Sequence, residues 1–128
     1  MEQNLINSKI ESRIFTIRGE QVMLDFDLAE LYEIPTKSFN QSVQRNSKRF
    51  PTDFIFRLNA NEFEELVTNC DRFNKQKHRS TYPLAFTELG ISMLSSILNS
   101  QAAIDLNILI IRVFVALRKE YFHNKTLL

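Results

Sequence analysis

Few side chains in this 128-residue sequence could do covalent chemistry. Cys70 and His78 form the one cysteine–histidine pair at moderate spacing, and nothing supplies a third ligand beside them. A lone cysteine in an amphipathic segment reads as a small core residue, and a histidine in a basic stretch reads as a solvent- or phosphate-facing group. The two glycines, Gly19 and Gly90, are too far apart in sequence to build a Gly-rich phosphate loop. None of the fifteen acids has a lysine two residues downstream, so the acid-x-Lys strand of a metal-dependent nuclease is absent. The expectation is a non-enzyme with no cofactor, no metal and no small-molecule substrate.

Binding chemistry is better supplied. Lys37, Arg45, Lys48 and Arg49 fall in a nineteen-residue interval between Glu33 and Asp53 that holds no acid. Spaced as a helix, this interval presents Thr36, Lys37, Ser38, Asn40, Gln41, Gln44 and Arg45 on its polar face. Amides pair with adenine, Arg with guanine, and hydroxyls and Lys with phosphate. Asn40, Gln41, Gln44 and Arg45 are therefore expected to read bases, and Lys37, Lys48 and Arg49 to hold phosphates of double-stranded DNA. A second acid-free run, with Arg72, Lys75, Lys77 and Arg79, is expected to clamp phosphate from a loop over 72–79. The plainer alternative for either run is a solvated polar face. The formal charge, 16 basic against 15 acidic residues, argues against a nucleic-acid partner only as a sum. Eight of the basic residues lie in these two runs, while acids gather at 25–33 and 62–71.

The elements that must position these groups follow from periodicity and breakers. Arg13–Ile17 and Val22–Leu24 read as a small hairpin turning at Gly19-Glu20, after a loosely ordered lead-in over 1–12. Asp25 or Asp27 is expected to cap a helix carrying Leu28, Leu31 and Tyr32, which Pro35 ends; Thr36 caps the next, with Phe39 and Val43 on one face. Residues 27–46 thus read as a helix-turn-helix-like unit, the arrangement that fits a major groove. Glu33 stands where such turns often use glycine, and a positive φ there would cost roughly 1 kcal/mol.

Downstream, a strand over 54–58 precedes a helix capped by Asn59 or Asn61; 72–81 reads as a loop, and Tyr82–Phe86 as extended. Thr87 caps a helix through Ile91, Leu94 and Leu98, and a final helix runs from about Gln101 to Tyr121. That last helix is apolar almost all round, which suits either a central core helix or one flank covered by a second subunit, a homodimer spacing two reading helices about 34 Å apart. Eleven phenylalanines read as core rather than as base-stacking platforms. The whole is one α+β domain over 1–128, a small sheet of short strands with about five helices, and 125–128 reads as a truncation or a linker to a further region. The longest apolar stretch, Ile108–Leu117, is interrupted by Arg112 and too short to span a bilayer. With no signal-like N-terminus and one cysteine, a cytoplasmic location is expected.

Two long segments, 24–58 and 85–118, carry a resemblance. Its blocks are DLAELY at 27–32, Arg45-Asn46, RFP at 49–51 with FxFxL at 54–58, FTE at 86–88 and MLSS at 93–96. In this order they resemble the KilA-N-type DNA-binding domains of phages and mobile elements and, more narrowly, their open-reading-frame-six N-terminal branch. The resemblance implies a DNA-binding module found beside phage antirepressor or regulator regions, and Glu33 departs from its frequent glycine. The contrasting expectations are an interaction or dimerisation module using the apolar final helix, with no DNA role, and a nuclease.

Overall fold

A computed structural model describes residues 2–76 and 79–127, with the side chains of 2–3, 74–75 and 122–127 outside that description. Chain order is α1 (Glu2–Glu11), β1 (Phe15–Ile17), β2 (Glu20–Leu24), α2 (Asp25–Leu31), α3 (Thr36–Arg45), β3 (Ile55–Arg57), α4 (Ala60–Asn69), β4 (Leu84–Phe86), α5 (Glu88–Leu94) and α6 (Gln101–Leu127). Short 3₁₀ turns cover Ser47–Arg49 and Asp71–Gln76. The architecture is α+β, as the patterning implies, with α1 as an additional helix. The segment expected to be a loose lead-in is helical because Ile10 gives it an anchor, fully buried in the main core.

Four strands form an antiparallel sheet in the order β1-β2-β4-β3. The hairpin turns at Arg18-Gly19, one residue earlier than expected: Ile17 pairs with Glu20, and both turn residues have positive φ (56° and 76°). That is the pattern of a two-residue type I′ turn, whose twist matches the flanking strands. Alternation along β2 then divides the protein. Met23, paired with Phe86, faces the main core with Ile10, Leu28, Phe39, Leu94, Ile110 and Phe114. Leu24, paired with Ala85, faces a smaller cluster of Ile17, Val22, Leu58 and Phe73. Both faces of the sheet are buried there, so Val22, Met23 and Leu24 follow one another without a polar alternate.

Caps read from the sequence fix two helices. Asn59, not Asn61, caps α4 in a reciprocal capping box with Glu62 (2.9 and 2.8 Å). Thr87 caps α5, and its hydroxyl donates to the Asp53 carbonyl at 2.8 Å while its amide bonds the Phe54 carbonyl at 3.0 Å. Gly90 lets α5 lie directly on this strand: a Cβ there would stand 2.2 Å from the Phe54 oxygen. Helix α6 runs to Leu127, past the expected Tyr121 and through 125–127. It buries Ala103, Asn107, Ile110, Val113 and Phe114 at three- and four-residue spacing, so one stripe of it is core while Ile108 remains 45% exposed.

Candidate nucleic-acid interface

Helices α2 and α3 are joined by a turn whose geometry comes from the end of α2. Glu33 has φ 58°; its amide bonds the Glu30 carbonyl at 3.1 Å, and the Ile34 amide reaches back to Ala29 at 2.9 Å. This pair of bonds is a Schellman motif. It ends α2 before Pro35, which is the N-cap of α3 in place of Thr36. The positive φ that the sequence raised only as a condition at Glu33 is present. The turn is tied down by Tyr32, whose hydroxyl donates to Asn107 Oδ1 on α6, while Asn107 Nδ2 donates to the Ile91 carbonyl at 3.0 Å. Burial pushes the Tyr32 hydroxyl pKa well up, so it remains a donor.

Phe39 and Val43, four residues apart, bury one face of α3; the Phe39 ring meets Phe86 edge-on at 5.5 Å. The opposite face leaves Lys37, Ser38, Gln41, Gln44 and Arg45 exposed and Thr36 half-buried. Beyond α3, Asn46 Nδ2 donates to Ser42 O at 2.8 Å, and the 3₁₀ turn exposes Lys48 and Arg49 before Phe50 returns to the core. Among the described residues, Lys37, Arg45, Lys48 and Arg49 make no ion pair, and no acid lies in this stretch of chain. Elsewhere Lys9, Arg13, Arg18, Arg72, Arg79 and Arg118 stand against carboxylates, while Arg57, Arg112 and Lys119 are exposed without an ion pair among the described residues and scattered over β3 and α6.

Asn40, expected to read bases, points inward. Its Nδ2 donates to Asp25 Oδ2 at 2.9 Å, and its Oδ1 is buried without a partner. The opposite amide orientation would set two acceptors against each other, so Asn40 has no edge to offer an adenine.

The second basic run also departs from its expected role. Arg79 forks onto Asp25 with both Nη atoms at 3.0 Å, and Arg72 forks onto Asp27. Arg13 Nε stands 3.7 Å from Asp27. Asp25 and Asp27 are themselves 0% exposed, and neither is the N-cap of α2, which is Leu24; Asp25 sits in the first turn and accepts from the Phe26 amide at 2.7 Å. Burial raises the Asp27 carboxyl above the ordinary aspartate range, against the opposing pull of Arg72 and then Arg13. Arg72 also lies over the Phe73 ring, 4.7 Å from its centroid. Charges neutralised in this way cannot serve as a free phosphate clamp. Of the other two expected members, Lys77 lies outside the described residues, as does the side chain of Lys75.

Sequence reasoning missed the Asp25–Asp27 network, although a signal for it exists. Both aspartates interrupt an otherwise apolar run from Val22 to Ala29, and a carboxylate carried into a core must find a cation. Cys70 is a half-buried free thiol at the C-cap of α4.

The fold and this surface define a small α+β domain that displays a two-helix unit, its outer face polar and cationic. The profile of the ORF6N domain matches residues 12–97, two-thirds of the sequence, and the chain belongs to the ORF6N domain family. The match runs from just before β1 past α5 and leaves out α1 and α6. No curated protein and no solved structure matches the chain. Among the described residues no helix is long and apolar enough to cross a membrane.

Proposed function

We propose that this domain is a sequence-specific DNA-binding module of a phage or mobile-element regulator, of the KilA-N type, acting in the cytoplasm by binding and not by catalysis. Gln41, Gln44 and Arg45 read base edges in the major groove, and Thr36, Lys37, Ser38, Lys48 and Arg49 hold the backbone. The observation that carries this reading is the division of the cations. Those on α3 and the turn after it are exposed and unpaired among the described residues, whereas the Arg72 and Arg79 guanidinium groups are paired inside. A stretch of chain free of carboxylates from 34 to 52 suits a polyanion.

With Lys37, Arg45, Lys48 and Arg49 each meeting one phosphate or base edge, log K should fall against log[salt] with a slope of about −3 to −4 in a fluorescence anisotropy titration with duplex DNA. A slope near zero refutes the electrostatic part. Arg45→Ala should relax preference at one base position, and Lys48→Ala should weaken all sequences alike. Equal losses on selected and random duplex for both variants refute that division of labour.

Ile108, exposed beside the half-buried Ile104 and Ile111 on α6, supports a second, compatible reading: a homodimer through this helix. Sedimentation at micromolar concentration should then show a dimer that Ile108→Lys dissociates, and a monomer at all concentrations removes this reading.

A further inference from the structure

We propose that Asp25 is the positioning residue of the reading helix, and that the segment leading into β4 is a latch closed on it and not a phosphate grip; the inference rests on α3 being the DNA-contacting helix. Asp25 is 0% exposed and accepts from four directions. Its donors are its neighbour's Phe26 amide (2.7 Å), Asn40 Nδ2 on α3 (2.9 Å), both Nη atoms of Arg79 (3.0 Å) and the Leu84 amide of β4 (3.2 Å). A carboxylate has about four lone-pair sites, so this one is saturated. The Arg79 guanidinium supplies the cation that a carboxyl group carried into the core needs, and the β4 amide fixes it to the sheet.

Asn40 provides the one side-chain hydrogen bond from α3 to the rest of the protein among the described residues. The other anchors, Phe39 and Val43, are apolar contacts, which set the buried face of the helix but, being non-directional, fix its rotation about its own axis only coarsely. A hydrogen bond does, because its strength falls steeply with misalignment. Rotating α3 would swing Gln41, Gln44 and Arg45 together, so the Asn40–Asp25–Arg79 chain sets where the reading face points. Arg79 is thereby linked to specificity from outside the two-helix unit, without touching DNA.

The test compares Asn40→Ala, Arg79→Gln and the surface control Lys48→Ala, using a duplex recovered by selection from a random pool and a random duplex of equal length. Three quantities are read: the ratio of the two affinities, the salt slope, and hydrogen exchange of the α3 amides without DNA. Arg79→Gln and Asn40→Ala should lower the affinity ratio about tenfold and raise α3 exchange about tenfold, with the salt slope unchanged. Lys48→Ala should lower the slope magnitude by about 0.9 and leave the ratio and the exchange alone. A slope loss of that size in Arg79→Gln, or α3 exchange equal to that of the unsubstituted protein in Asn40→Ala, overturns the latch. Should Arg79→Gln fail to fold, Asn40→Ala carries the test, since that residue is half-buried and alanine suits a helix. Absence of DNA binding by the unsubstituted protein would overturn the proposed function, while the exchange measurement still decides whether Asp25 positions α3.

Discussion

Replacing Glu33 with glycine should stabilise this domain. At φ 58° its backbone lies in the left-handed region, which costs an L-residue roughly 1–2 kcal/mol. The side chain offers no compensation: it is exposed and has no hydrogen bond or ion pair among the described residues. Glycine removes the strain but releases more freedom on unfolding, which takes back roughly 0.5–1 kcal/mol. The net gain is about 0.5–1 kcal/mol. Both Schellman bonds are made by backbone atoms and survive the change. Glu33→Ala is the necessary control, because alanine loses the same side chain and keeps the strain. Urea unfolding followed by far-ultraviolet circular dichroism should place the glycine midpoint about 0.3–0.5 M above that of the alanine variant. If the two midpoints coincide, the turn does not hold the strain assigned to it and the reasoning fails.

Gly90→Ala should lower the thermal midpoint by several degrees, because the clash with the Phe54 carbonyl outweighs the roughly 1 kcal/mol that alanine gains in a helix; a midpoint at or above the original refutes the close approach. Tyr32→Phe strands Asn107 Oδ1 in a site only 5% exposed and should cost about 1–3 kcal/mol in chemical denaturation, whereas a change under about 0.3 kcal/mol would show that bond to be immaterial. Glu62 is held below the ordinary glutamate range chiefly by its hydrogen bond from Arg18, with a further bond from the Asn59 amide, against a smaller opposing effect of burial. A lowered folded-state pKa contributes stability above the ordinary value of 4.5 that is lost as pH falls through the folded one. The gap in thermal midpoint between the original protein and Glu62→Gln should thus be open at neutral pH and close in acid, and a gap independent of pH contradicts the assignment.

What could be read in the sequence was whatever depends on near neighbours. Phe39 and Val43 set the buried face of α3, Asn59 was one of two neighbouring asparagines able to cap α4, and Thr87 announced α5. The positive φ at Glu33 was legible from where the turn had to fall. Helix α1 was not legible, since a single buried anchor, Ile10, makes too thin a stripe to stand out from polar surroundings. The roles of Asp25, Asp27, Arg72 and Arg79 were hidden for a different reason. Acids at a helix start resemble caps and a basic run resembles a surface patch until the fold brings the two together across 45 and 54 residues. The inward turn of Asn40 was hidden with them, because helical spacing places it on the rim of the polar face and only the buried carboxylate decides which way it turns.

The bond between Tyr32 and Asn107 spans 75 residues, and it has a consequence for the order in which the chain is made. A ribosome working from the N-terminus releases the two-helix unit more than sixty residues before Asn107 exists. At about 5–20 residues per second, that unit waits several seconds with its turn unmoored and two carboxylates lacking their guanidinium partners. The frame around the two-helix unit is therefore completed late and all at once, when α6 docks. A chain interrupted upstream of Asn107 would contain all of α2 and α3 and still lack the bond that ties down the turn between them.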